Sequence, residues 1–287
     1  MKVLKFGGTS VGSPETMRAV MDLITNGEQK IVVLSAMSGT TNSLVEIVDY
    51  LYKKNKDAAN IFIGKLEAKY KKVVSELFTS DENKKKGLEV VKESFNIIKS
   101  FTSGKFDQIG ENTILAQGEL ISTQLVALLM NENGYRAKLL PALDFMKIDE
   151  DKAADLQHIR KNIKPVLDEI GEADYYITQG FICKNSDNEI DNLQRGGSDY
   201  TASLIGAAIK SEEIQIWTDV SGVMTTDPRI VESAKTIDQI SFSEASELAY
   251  FGAKVLHPKT ILPAMDKDVP VRVLNTYEPD HNGTVIL

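Results

Sequence analysis

The run Ile31-Val32-Val33-Leu34 limits the fold more than any other stretch of this chain. It is short, apolar throughout and mostly β-branched, which suits a strand buried on both faces; such strands belong to parallel sheets covered by helices. Short runs recur at Val3 to Phe6, Lys138 to Leu140, Tyr175 to Ile182, Ile214 to Val220, Val271 to Leu274 and Thr284 to Leu287, with helical stretches between them. The expected class is α/β. From Asn42 to Asn133 proline nearly vanishes and glycine is sparse. Leu44, Ile47, Val48 and Leu51 fall on one helical face there, and Leu115, Leu120, Gln124 and Leu128 continue the pattern, so the segment reads as a helical insertion. Its lysine- and glutamate-rich middle, Lys53 to Lys105, reads as a solvated helical surface.

The 287 residues are 42% hydrophobic and 26% charged, the usage of an ordinary globular chain long enough for one large α/β unit or about two domains. A single cysteine, Cys183, excludes an intrachain disulfide and a cysteine-held metal centre, and indicates a reducing compartment. With 33 Lys plus Arg against 41 Asp plus Glu, the net charge of -8 has the wrong sign for binding nucleic acid. The N-terminal apolar run is too short for a signal peptide, and no window approaches the ~20 apolar residues of a membrane span, so a cytoplasmic location without a membrane partner is expected. No repeat or Gly/Ser linker appears. The polar stretch Lys184 to Arg195 is the expected lobe-joining loop.

Four segments carry candidate chemistry. Lys5-Phe6-Gly7-Gly8-Thr9-Ser10 ends the first strand before a helix announced by Ser13 and Pro14; its glycines let N–H groups converge on a concavity suited to phosphate. It is neither a P-loop nor a dinucleotide fingerprint. Arg195-Gly196-Gly197-Ser198-Asp199 is a second glycine turn opening a helix. Its arginine offers a planar fork for a carboxylate, while Asp199 has the plainer alternative of stabilising the helix dipole. Third is Trp217-Thr218-Asp219-Val220-Ser221-Gly222-Val223-Met224-Thr225-Thr226-Asp227-Pro228-Arg229. Fourth is Phe251-Gly252-Ala253-Lys254-Val255-Leu256-His257-Pro258, after a helix capped by Ser241 and Glu244. His158, His257 and His281 are isolated, and no metal held by protein side chains is indicated.

Together and in this order, the four segments resemble the amino acid kinase family, and within it the aspartokinases. The resemblance implies a three-layer αβα sandwich with an open, mainly parallel sheet, as in acetylglutamate kinase, and an N-terminal lobe of about 1–190 for aspartate with a C-terminal lobe of about 195–287 for ATP. It implies phosphorylation of the β-carboxylate of L-aspartate by ATP with Mg²⁺ held through the nucleotide phosphates, the opening step towards lysine, threonine and methionine. Matched by motif, Lys5, Gly7, Gly8 and Ser10 would face phosphate, and Thr41 would contact aspartate. Glu119, in Gln117-Gly118-Glu119, would take the α-ammonium, and Arg195, Gly196 and Ser198 the carboxylates. Thr218, Asp219, Met224, Arg229, Lys254 and Val255 would form the nucleotide site. Lys5, Asp199 and Lys254 would be catalytic. Gln194 stands where the family commonly has glycine, and Met224 where many members have tyrosine.

Regulatory ACT domains would begin where the chain stops, so they are expected to be absent here. Fusion to them or to homoserine dehydrogenase, and homo-oligomerisation, are the partner arrangements the resemblance leaves open, as it does another substrate of the family or a silent sensor. An aspartate side chain of pKa near ~3.9 is ionised at neutral pH and needs no general base, so catalysis must consist of positioning and charge neutralisation. On that argument Asp199 is expected to orient Lys5 rather than to accept a proton.

Overall fold

The structure is a computed structural model; it describes the chain except residues 195, 227–230, 232, 251–255 and 257, and the side chains of 249, 250 and 258. In chain order the elements are β1 (Lys2–Phe6), α1 (Pro14–Ile24), β2 (Lys30–Leu34), α2 (Thr40–Tyr52), α3 (Lys56–Leu77), α4 (Asp81–Ser100), α5 (Gln108–Glu132), β3 (Ala137–Leu139) and α6 (Leu156–Ile170). Then follow β4 (Tyr175–Gln179), β5 (Ile182–Lys184), β6 (Ile190–Asn192), α7 (Gly197–Ile209), β7 (Ile214–Thr218), β8 (Gln239–Ile240), α8 (Phe242–Tyr250), α9 (Pro258–Met265), β9 (Val271–Asn275) and β10 (Thr284–Ile286).

Among the described residues, eight strands form one sheet in the order β3-β4-β2-β1-β7-β9-β10-β8, parallel except where β10 meets β9. Successive side chains leave a strand on opposite faces, and here each face has its own core. Leu4, Phe6, Val32, Leu34, Ile177 and Trp217 pack into a cluster with residues of α1 to α5. Val3, Ile31, Val33, Tyr176, Ile214, Ile216 and Val271 pack into a second with residues of α6, α7 and α9. This is the expected helix-sheet-helix sandwich, and it explains why β2 is apolar at every inner position: all five of its residues are buried. Phe6 and Trp217, register partners on β1 and β7, stack at 5.6 Å, a contact worth about 0.5–1.5 kcal/mol beyond its burial.

Three expectations change. The apolar run Tyr175 to Ile182 is not one strand: it breaks after Gln179, where Phe181 takes a φ of 68°, and β5 leaves to pair with β6. The polar stretch from Lys184 therefore holds the turn and the short second arm of a two-stranded hairpin, the turn closed by Asn185 Oδ1 accepting the N–H groups of Asp187 and Glu189 at 3.0 and 2.9 Å. Finally, α5 is long and apolar enough by composition to cross a membrane. Its Ile114, Leu125, Val126 and Met130 are instead buried in the first core.

Candidate active site

Strand β1 has β2 on one side and β7 on the other, so the chain's connections diverge around it; at such a switch point the carboxyl ends of parallel strands leave a crevice. A cleft of about 370 Å³ lies there. Lys5 and Gly8 reach it from β1 and its turn, Ser35 to Gly39 from the end of β2, Thr41 and Asn42 from α2, Glu119 from α5, Phe181 from the β4–β5 break, and Gln194 and Gly196 to Asp199 from the start of α7.

Two helices open onto this space without a side-chain cap. Gly39 precedes α2 with φ 77° and Gly196 precedes α7 with φ 74°, a left-handed conformation that glycine takes without a Cβ clash. Both N-termini therefore offer backbone N–H groups and partial positive charge to an anion in the cleft.

The charged groups are arranged around those termini. Lys5 Nζ lies 2.7 Å from Asp199 Oδ1, with only 12% and 19% of the two side chains exposed. Among the described residues Asp199 Oδ1 has no aligned hydrogen-bond donor despite that distance, and the contact with Lys5 is ionic. A Cβ on Gly7 would come within 3.5 Å of the same ammonium. On the facing side, Glu119 is 4% exposed, and its Oε1 accepts the Ala36 N–H at 3.1 Å. Burial pushes its carboxyl up to about 8, against a smaller opposing effect of the Ala36 hydrogen bond. A carboxyl in that environment is one whose ionised form a nearby cation would favour.

Close packing fixes the walls. A Cβ on Gly8 would meet Ala36 O at 2.8 Å, and one on Gly118 would meet the Ala36 side chain at 2.7 Å, so the β1 turn, the end of β2 and α5 converge on Ala36. A Cβ on Gly180 would lie 2.8 Å from Ser198 Cα; the absent side chain lets Ser198 approach Ser35, whose hydroxyl donates to Ser198 Oγ at 2.9 Å.

The sequence-expected residues divide by position. Lys5, Gly8, Thr41, Glu119, Gly196, Ser198 and Asp199 come together around the cleft. Ser10 is 1% exposed and turned inward, its Oγ 2.9 Å from Thr276 Oγ1. Thr218 and Asp219 stand at the carboxyl end of β7, where the Thr218 hydroxyl donates to Asp219 Oδ1 at 3.2 Å and the Thr218 carbonyl accepts the Thr276 N–H at 2.9 Å. Met224 bridges to Thr236 farther along that loop. Arg195, Arg229, Lys254 and Val255 lie outside the described residues. Ser35 and Phe181 are cleft residues that no motif announced. The one sequence trace of Phe181 is Gly197, where a Cβ would meet its ring at 2.8 Å.

The description of the matching family model is "Amino acid kinase family", and it covers residues 1–275. The chain is 35% identical over 298 residues to lysine-sensitive aspartokinase 3 of Escherichia coli K12, covering 99% of this chain and 63% of that protein. It is 33% identical over 300 residues to a bifunctional aspartokinase/homoserine dehydrogenase of Buchnera aphidicola, covering 100% of this chain and 36% of that protein. The crystal structure of E. coli aspartokinase III in complex with aspartate and ADP superposes with a TM-score of 0.83 at 31% identity, over 100% of this chain and 64% of the other. The chain thus spans less than two thirds of the length of these relatives.

Proposed function

This chain belongs to the amino acid kinase family, and on that premise we propose that it transfers the γ-phosphoryl group of ATP to the β-carboxylate of L-aspartate, giving 4-phospho-L-aspartate for lysine, threonine and methionine synthesis. The observation that carries the reading is the pairing, in one cleft, of the buried Glu119 with Lys5 and two uncapped helix N-termini. A zwitterion with two carboxylates needs one anionic and several cationic or N–H anchors, and the cleft has both kinds. Similarity to the E. coli enzyme whose structure holds aspartate and ADP supports the same assignment.

In this reading Glu119 takes the α-ammonium, and Thr41, Gly196, Ser198 and Arg195 take the carboxylates. The β-carboxylate is ionised at neutral pH and attacks without losing a proton. The protein's work is to bring it in line with the γ-phosphorus and to offset the negative charge that spreads over the transferring oxygens. Lys5 does this from the end of β1, held in place by Asp199. Lys254 joins it from the nucleotide side, with Gly7, Gly8, Ser10, Thr218, Asp219, Met224, Arg229 and Val255 around ATP. The aspartate lobe is about 1–190 and the ATP lobe about 195–287.

Mg²⁺ would be carried mainly by the nucleotide phosphates, since this ion keeps several waters and takes one or two protein carboxylates rather than a dedicated cage. When bound it would neutralise phosphate charge. The buried, single Cys183 fits a cytoplasmic enzyme, and the Buchnera relative supports fusion to a second enzyme as one arrangement of a longer protein.

Acetylglutamate, glutamate and nucleoside monophosphates are the competing acceptors within the family. Acetylglutamate and UMP carry no ammonium to satisfy Glu119. ADP release measured with aspartate, glutamate, acetylglutamate and UMP, with hydroxylamine trapping of the acyl phosphate, tests the reading. Aspartate alone should give rapid release and a hydroxamate, and equal release with and without it rejects the assignment.

A further inference from the structure

The helical insertion reaches the cleft. Residues 35–42 run from the end of β2 into α2 and form one wall through Ser38, Gly39 and Thr41. Lys69, on α3, donates from Nζ to the Ser38 carbonyl at 2.9 Å. The next residue, Tyr70, places its hydroxyl 2.9 Å from Thr40 Oγ1. Consecutive helical residues point about 100° apart, and these two differ accordingly: Tyr70 is fully buried, while Lys69 is exposed. The turn is held from the core side and from the solvent side by one turn of one helix.

Lys69 differs from its neighbours in what it binds. Lys71 and Lys99 pair with Glu67 at 2.7 and 2.5 Å, and Lys65 lies over the Phe62 ring. Those contacts lie within the insertion, as expected of a solvated helical surface. Lys69 instead crosses to a main-chain carbonyl in the cleft wall, beside the left-handed Gly39. Ser38 also donates its N–H to Gly8 O at 3.0 Å, so this one residue is tied both to the β1 turn and to the insertion. A wall held in its binding conformation avoids an ordering cost when the ligand arrives.

Building on the aspartate kinase reading, we propose that Lys69 and Tyr70 are positioning residues that hold the 37–41 turn in shape for the amino-acid substrate, so that the helical insertion helps set affinity for that substrate and not for the nucleotide. Lys69→Met and Tyr70→Phe each remove one hydrogen bond while keeping the stem or the ring. Each should raise KM for aspartate about 3- to 10-fold, with kcat and KM for ATP moving less than about twofold. Lys69→Arg should recover most of the loss. In the protein without substrate, amide hydrogen exchange over residues 37–43 should quicken about 3- to 10-fold in both variants, while β1, β2 and α5 keep their protection. Unchanged exchange over 37–43 overturns the proposal, as does a uniform rise across the sheet or a parallel rise in both Michaelis constants. If the unaltered protein shows no aspartate-dependent turnover, the substrate reading fails, and the exchange measurement alone then decides whether the insertion holds the turn.

Discussion

The ammonium of Lys5 and the carboxylate of Asp199 meet at 2.7 Å although one is carried by the first strand and the other by the first turn of α7. The contact crosses between two elements that pack on each other, so it fixes the lysine tip relative to the N-terminus of α7. If Asp199 only orients Lys5, the two act as a unit. Lys5→Ala should lower turnover on the order of 10³-fold, and the double variant with Asp199→Asn should be little worse. A double-mutant cycle on kcat checks this; fully additive losses would sink the coupling. The acidic limb of the kcat profile, measured with substrate already bound, should survive in Asp199→Asn, since the substrate carboxylate sets it.

If Glu119 takes the substrate ammonium as proposed, it links aspartate binding to pH. Burial raises its carboxyl to about 8, so the empty site holds it protonated at neutral pH. An ammonium settling beside it favours the ionised form, so binding at pH 7 should release a proton and affinity should rise with pH towards about 8. Titration calorimetry in two buffers of different ionisation enthalpy measures the release, and identical heats would contradict it.

The same group predicts a sign for stability. A carboxyl with a raised folded-state value binds more protons folded than unfolded, so its stabilisation is complete below the ordinary carboxyl range and is lost as pH climbs to about 8. Glu119→Gln should flatten that slope in urea unfolding of the empty protein. Glu119→Ala should weaken aspartate binding about 10- to 150-fold while leaving KM for ATP in place.

Gly8→Ala and Gly64→Ala should move stability in opposite directions. A Cβ at Gly8 meets the Ala36 carbonyl oxygen at 2.8 Å, and backbone cannot swing aside, so a loss of about 1–3 kcal/mol is expected. Gly64, in α3, has open space around its missing Cβ, so alanine there should gain about 0.5–1 kcal/mol. Urea midpoints at constant m-value provide the comparison.

Gln194 adopts a φ of 60° at the rim of the cleft. An L side chain pays about 1–2 kcal/mol for that conformation, and glycine's greater unfolded-state freedom costs about 0.4–1 kcal/mol. Gln194→Gly should therefore be neutral to slightly stabilising, whereas Gln194→Val, β-branched in a left-handed position, should lose more than about 1 kcal/mol. Thermal unfolding of the two variants separates them.

What the sequence disclosed follows from the range of the interactions involved. The apolar run in β2 announces itself because burial on both faces is a property of five adjacent residues. Lys5, Glu119 and Asp199 were legible through their motifs. The break at Phe181 was not, because its cause lies in the packing of its ring against Gly197 and in the pairing of β5 with β6. Lys69 was read as solvated surface, since nothing in a lysine-rich helix distinguishes the one residue whose partner is 31 positions away. Ser10 shows the reverse case: a motif position whose hydroxyl faces Thr276, far along the chain.

The place of β1 between β2 and β7 has a consequence during synthesis on the ribosome. Its pairing partner β2 emerges within about 30 residues, but Ile214 to Trp217, which complete the other edge, follow roughly 200 residues later. At about 5–20 residues per second, the nascent chain carries an open, apolar strand edge for roughly 10 to 40 s. That edge is a template for pairing with another chain, so this is the interval in which a chaperone has most to protect. Codon choices that slow translation between β2 and β7 would lengthen it, lowering soluble yield without altering a single residue of the finished chain.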